Sequence, residues 1–246
     1  MKRFGMGLLV AIAIAVGGYV FREWVSLPVN IPLYVESEVM ADLDYDPFTS
    51  RIFADFPERR EQLAATLIDA YETDGRRALE GSLVAEMAAV GEAVMPHYLV
   101  RASETDLVAY YQVMADMTSE LPETDPERCA NFYLGNTMSD GTATVDFRVQ
   151  SISSYQSPLE LATKQLFTNA SQDPISFDNQ SAQISLGAVR TALLQEVDPQ
   201  TMDLIGQTVP VATRDDQIAY CNGLNFFMSE ILRLPTEEAA NLLRSF

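Results

Sequence analysis

Two cysteines, Cys129 and Cys221, are the residues most able to form a covalent link within this chain, and they are its only cysteines. A disulfide between them would close a loop of about 90 residues, which stabilises a fold by roughly 3–5 kcal/mol. Two buried free thiols are the alternative. A catalytic thiol would need a nearby base, and His97 is the only histidine. The sequence therefore predicts a Cys129–Cys221 disulfide, provided that the chain reaches an oxidising compartment.

Metal binding and catalysis have little support in the residue pattern. Asp42, Asp44 and Asp46 alternate like the first ligands of a calcium loop, but proline takes the sixth position and phenylalanine the twelfth. One histidine and no H-E-x-x-H or C-x-x-C pattern argue against zinc. Among 35 acidic residues, chance carboxylate pairs identify no site. We expect no catalytic residue, no cofactor-binding residue, no metal ligand and no bound cofactor, and we expect that the protein is not an enzyme.

The amino terminus has the pattern of a membrane segment. Lys2 and Arg3 precede an uncharged apolar run over residues 4–21, which is close to the lower limit for a helix that spans a bilayer. The basic flank favours a cytoplasmic amino terminus. A cleaved signal peptide is the alternative, with a small-x-small site at Ala13 to Ala15. Residues 1–25 are predicted to be a signal-anchor transmembrane helix.

This segment sets the predicted location of the rest of the chain. An uncleaved anchor makes a single-pass protein of the inner (cytoplasmic) membrane, with its C-terminal domain in the periplasm or outside. A cleaved leader would give a secreted soluble form. We therefore expect the membrane, contacted through residues 4–21, to be one partner.

The charge of the chain restricts its other partners. The formal net charge is −19, and such a surface repels nucleic acid, whose binding needs cationic groups against the phosphates. We expect no nucleic-acid partner. The acidic balance keeps a protein soluble, or serves in docking to a basic partner.

Helical patterns dominate the sequence after the amino terminus. Pro57 opens an apolar stripe that Gly75 ends, Ser103 and Asp125 are candidate helix caps, and Asp198 precedes another start. Phe226 and Phe227 are adjacent, so a helix that carries them is either buried on two sides or exposes an aromatic ring. The predicted fold class is mainly α.

Two stretches depart from that pattern. Residues 26–45 are predicted to be an extended linker leaving the membrane, and residues 143–149 alternate apolar and polar side chains as a strand does. We expect at most a minor β element there. Residues 46–246 are predicted to form an all-helical extracytoplasmic bundle.

An internal duplication is a further hypothesis. The offset that sets Cys129 on Cys221 also sets Glu104 on Glu196 and Asp106 on Asp198. The bundle would then consist of two similar helical halves, 46–135 and 156–246, joined by the disulfide.

The pattern favours a function in contact rather than in chemistry. We expect a membrane-tethered extracytoplasmic protein with a structural, assembly or scaffolding role in the cell envelope, acting on a protein partner there. The alternative is a helical module that binds an apolar small molecule or lipid, since Met-rich faces adapt to irregular guests. An exposed apolar patch would favour the first function, and a deep apolar cavity the second.

Overall fold

Helices form the regular secondary structure of the computed structural model, which describes residues 31–134, 156–206 and 211–246. Within these ranges no strand occurs, and the mainly α prediction is confirmed. None of the helices described there has the length and apolarity to cross a bilayer. The predicted anchor at 1–25 and the predicted β element at 143–149 lie outside the described residues.

The described residues belong to two compact units, one within Leu8–Pro96 and the other containing His97–Phe246. A π-helical segment, Val35–Met40, follows the first short helix. The α-helices of the first unit are α1 Ile31–Tyr34, α2 Ala41–Tyr45, α3 Pro47–Asp55, α4 Pro57–Asp74 and most of α5 Arg76–Leu99.

The helices of the second unit lie within residues 97–134, 156–206 and 211–246. They are α6 Glu104–Ser119, α7 Leu121–Thr124, α8 Pro126–Leu134, α9 Gln156–Thr168, α10 Asn179–Glu196, α11 Pro199–Ile205, α12 Arg214–Leu232 and α13 Thr236–Arg244.

The extended linker predicted over 26–45 is wrong from Ile31 onward, where the chain is helical. Val35, Val39 and Leu43 recur at a spacing of four residues and are all buried, which is the periodicity of a helix face. The proline at position 32 lies in the first turn of α1, where a missing backbone N–H leaves no hydrogen bond unmade.

Polar side chains fix several helix ends at the residues that the sequence indicated. The Ser103 hydroxyl accepts a hydrogen bond from the Asp106 backbone N–H at 3.1 Å, and the Asp125 carboxylate accepts one from the Arg128 N–H at 3.1 Å. Gly75 ends α4 with a φ of 73°, a conformation that glycine adopts at little cost. These predicted boundaries are confirmed.

The long helix α12 lies at the centre of the second unit. It packs against α8, α11, α10 and α6, and also against α7 and α13. Phe227 is buried, whereas Phe226, which points about 100° away from it, is half-buried. The large apolar residues that it buries lie on one side of the helix, within an arc of about 120°, and they are Tyr220, Cys221, Leu224, Phe227, Met228 and Ile231.

Candidate functional site

A disulfide joins α8 to α12. Cys129 and Cys221 are bonded, with their Cα atoms 5.9 Å apart, a separation typical of native disulfides. Both residues are fully buried. The pairing predicted from the sequence is therefore present, and it ties together two helices that are 92 residues apart in the chain.

A polar network lies one helical turn beyond the disulfide. The Tyr133 hydroxyl donates to Asn225 Oδ1 at 2.6 Å, and it lies 3.0 Å from the Thr118 Oγ1 atom. Asn225 Nδ2 donates to the Thr118 backbone carbonyl at 3.0 Å. Burial raises the pKa of Tyr133 well above its usual value, because the phenolate would lose its hydration. The network therefore holds a neutral phenol that links α6, α8 and α12.

The two cross-links define the register of α8 against α12. The separation of Tyr133 from Asn225 is 92 residues, the same as that of the two cysteines. Two contacts with one constant offset mean that the helices run parallel at this point. A duplication whose two-fold axis runs along the helices is compatible with this parallel arrangement. The same offset sets α6, which has 16 residues, against α11, which has 7, so these two helices differ, and the halves 46–135 and 156–246 stay a prediction.

Close approach of α11 to α12 depends on a glycine. A Cβ atom at Gly223 would lie 2.5 Å from Ile205 Cδ1 and 3.1 Å from Thr201 Cγ2. The start of α11 is fixed by Asp198, which accepts hydrogen bonds from the Gln200 and Thr201 N–H groups at 2.9 and 3.1 Å. These contacts shape one wall of a groove.

Two open grooves run beside α12. One, of about 270 Å³, is lined by Asp116 and Ser119 of α6 and by Asn225 and Ser229 of α12. The other, of about 540 Å³, is lined by acidic and amide side chains as well as by Ile218 and Phe226. Both grooves combine polar and apolar walls and are open to solvent. An enclosed apolar cavity, the form expected of a site for a lipid-like guest, is not what these two grooves provide.

An exposed apolar stripe runs along α10, and we call it the outer face. Ile184 and Leu194 are 68% and 57% exposed, and the residues between them on this face are small. At about 100° per residue, these positions fall on one side of the helix. The outer face consists of Ile184, Gly187, Ala188, Thr191 and Leu194, all of them exposed.

The opposite side of α10 is an ordinary core face. Ala182, Ser185, Val189 and Leu193 are buried there, and α10 packs against α13 and α12. Asn241 of α13 holds the start of α10, since its Oδ1 accepts from the Asp178 N–H at 2.7 Å and its Nδ2 donates to the Asp178 carbonyl at 2.9 Å. The helix is thus apolar on two opposite sides, and the described residues of the chain cover only one of them.

His97 lies near the end of α5, and Asp42 and Asp44 lie on α2. His97 is half-buried, and its ring makes an edge contact with Tyr98, with the centroids 5.1 Å apart. Among residues 31–134, 156–206 and 211–246, no three His, Cys, Asp or Glu side chains are grouped to hold a metal ion. Asp44 forms an ion pair with Arg60 at 2.7 Å.

Sequence reasoning missed both the polar network and the outer face. The network joins residues that are distant in sequence, so it had no local signal. The outer face did have one. Ile184, Gly187, Thr191 and Leu194 follow a spacing of three, four and three residues, and a second apolar stripe opposite the core face is visible on a helical projection.

Comparisons with known proteins identify no relative. No family model matches the chain, and neither a curated protein nor a solved structure shows a significant similarity to it.

Proposed function

We propose that this chain is a membrane-tethered, extracytoplasmic helical protein that acts through protein–protein contact, and that the outer face of α10 is its contact surface. The exposure of Ile184 and Leu194 on a helix whose other side is already packed carries the proposal. Covering such a face removes apolar surface from water at about 25 cal/mol per Å², which provides a driving force for association.

Two further observations support the tethered, exported part of the proposal. Disulfides persist mainly in oxidising compartments outside the cytosol, and Cys129 and Cys221 form one. Residues 4–21 have the apolarity and approximate length of a bilayer-spanning helix. A protein held at the membrane by one end would present its helical units to other envelope proteins.

Photo-crosslinking in intact cells tests the contact surface. A benzophenone amino acid is placed at Ile184 or Leu194 of the full chain, and at Ala65 as a control, since Ala65 is exposed on α4. We expect a discrete crosslinked protein product from the two outer-face positions and none from the control. Equal labelling from all three positions would mean that the outer face is not a specific contact surface.

A reporter fusion and membrane fractionation test the cellular location of the chain. A reporter fused after Phe246 should be active only outside the cytosol, and the full chain should be recovered with membranes. A reporter active in the cytosol would overturn the tethered, exported part of the proposal. Recovery of a lipid with the purified chain, bound beside Phe226 in the groove between α11 and α12, would instead support the apolar-ligand function.

A further inference from the structure

We propose that the partner of the outer face is a second copy of this chain, and that two copies pair α10 against α10 in antiparallel orientation about a two-fold axis that crosses the outer face at the level of position 189. This inference rests on the proposed function, in which the outer face is the contact surface. It adds the identity of the partner and the register of the pair.

Spacing along the outer face is self-complementary. Ile184, Gly187, Thr191 and Leu194 follow the three-four-three pattern of a coiled-coil seam. Residue 189 is the midpoint of Ile184 and Leu194, and it is also the midpoint of Gly187 and Thr191. One two-fold axis therefore sets each Ile184 against the partner's Leu194 and each Gly187 against the partner's Thr191, as a closed symmetric interface requires.

Small residues at the centre of the seam permit the helices to approach closely. A Cβ atom at Gly187 would meet nothing within 4 Å in the monomer, so the space above it is open to a partner. The Thr191 hydroxyl donates to the Gly187 backbone carbonyl at 2.8 Å. Because this hydrogen bond lies within one helix, burial of Thr191 against a partner leaves its hydroxyl satisfied.

Charge also favours a second copy over a basic partner. The chain carries −19 overall, yet Arg190 is the only charged residue of α10 before Glu196. Two copies repel each other over most of their surfaces, and they approach with the least repulsion through a face that has no acid. A basic partner would be attracted to the acidic surfaces instead.

Salt dependence separates these two partners. Added salt screens the repulsion between two acidic copies, so self-association should strengthen as the salt concentration rises. Binding of a basic partner would weaken under the same conditions. The measurement is sedimentation equilibrium of the full chain, in mild detergent, over a series of sodium chloride concentrations.

Gly187→Glu is the decisive substitution. It sets a carboxylate into the seam near the partner's copy of the same residue, and such like-charge contacts should raise the dimer dissociation constant by roughly 100-fold. Gly187 is exposed and a Cβ atom there meets nothing within 4 Å, and glutamate favours a helix interior more than glycine does. Loss of the dimer therefore cannot be attributed to loss of the fold.

Gly81→Glu is the matched control. Gly81 is exposed within α5, and a Cβ atom there also meets nothing within 4 Å. The control adds the same charge and the same helix preference away from the outer face, so its dissociation constant should stay within about threefold of the wild type. Equal effects of the two substitutions, or a chain that stays monomeric at every salt concentration, would overturn the inference.

Cysteine crosslinking tests the register. Ile184→Cys and Leu194→Cys chains, mixed in equal amounts and treated with a short bismaleimide, should give a covalent dimer. Either chain alone should not, because the two copies of residue 184 lie about 15 Å apart along the helix axis. The same yield from each single chain as from the mixture would exclude the antiparallel register.

The outcomes also separate this inference from the proposed function. A crosslink from Ile184 and Leu194 to a different envelope protein would refute the second copy and leave the contact function intact. A doubled mass from both positions, abolished by Gly187→Glu and retained with Gly81→Glu, would support both.

Discussion

Replacing both cysteines with alanine, as Cys129→Ala and Cys221→Ala, removes the covalent link between α8 and α12. The bond closes a loop of 92 residues. Removing such a loop returns conformational entropy to the unfolded chain, and this lowers the free energy of the unfolded state by about 4–5 kcal/mol at 25 °C. Residual structure in the unfolded ensemble lowers the measured effect, so we expect the free energy of unfolding to fall by about 4 kcal/mol.

Hydrogen exchange measured by mass spectrometry in increasing urea is the appropriate assay. Peptides from Pro126–Leu134 and Arg214–Leu232 report on the two helices that the disulfide joins. The wild-type chain treated with dithiothreitol should approach the exchange behaviour of the double variant, since both lack the bond. The double variant should not respond to dithiothreitol, which controls for other effects of the reagent.

Two results would refute this reasoning. If the free energy of unfolding fell by less than about 1 kcal/mol, the unfolded double variant would already keep positions 129 and 221 close together, contrary to the entropy argument. A protein that loses the disulfide but keeps full protection in α8 and α12 would mean that helix packing alone holds these elements together.

Substitutions and a tyrosine titration in the second unit test three of its features. Tyr133→Phe leaves Asn225 Oδ1 without its 2.6 Å donor and should lower the free energy of unfolding by about 1–3 kcal/mol; an unchanged urea midpoint would contradict the network. Gly187→Ala, measured in dilute protein, should raise the free energy of unfolding by about 0.5–1 kcal/mol. Gly223→Ala should not raise it, since its Cβ would lie 2.5 Å from Ile205 Cδ1. Urea unfolding that shows an equal increase for both variants would refute the close packing of α11 on α12. Burial raises the pKa of Tyr111 and of Tyr220 to about 12 each. The folded chain therefore holds the two phenol protons more tightly than the unfolded chain does. The resulting contribution to stability is complete below pH 10 and is lost as the pH rises through about 12. Tyrosinate absorbance should therefore rise together with alkaline unfolding, and titration of these two side chains near pH 10 in the folded protein would be the contrary result.

Local signals in the sequence were sufficient for the helix boundaries that depend on neighbouring residues. Ser103, Asp125 and Asp198 cap helices through side-chain oxygens that reach backbone N–H groups two or three residues away. Such contacts are set by the residues themselves. The disulfide can also be predicted from the sequence, because two cysteines permit a single pairing.

Features that depend on contacts between distant parts of the chain cannot be predicted from such local signals. The prolines at positions 28 and 32 and the lack of helical periodicity around them predict an extended chain at Ile31–Tyr34. The structure is helical there, and the buried residues Val35, Val39 and Leu43 continue the helix. Tertiary packing decides such stretches more than local preference does. Whether Ile184 and Leu194 were core or surface depended on which side of α10 met α12 and α13, and the sequence pattern left both sides apolar.

The bond between Cys129 and Cys221 also determines how the protein responds to a protease. A single cut at any peptide bond between the two cysteines leaves both fragments attached to each other, so the nicked chain migrates as two pieces only after reduction. A cut outside that interval separates the fragments at once. One cut in the long stretch between the two cysteines thus leaves α8 and α12 covalently joined.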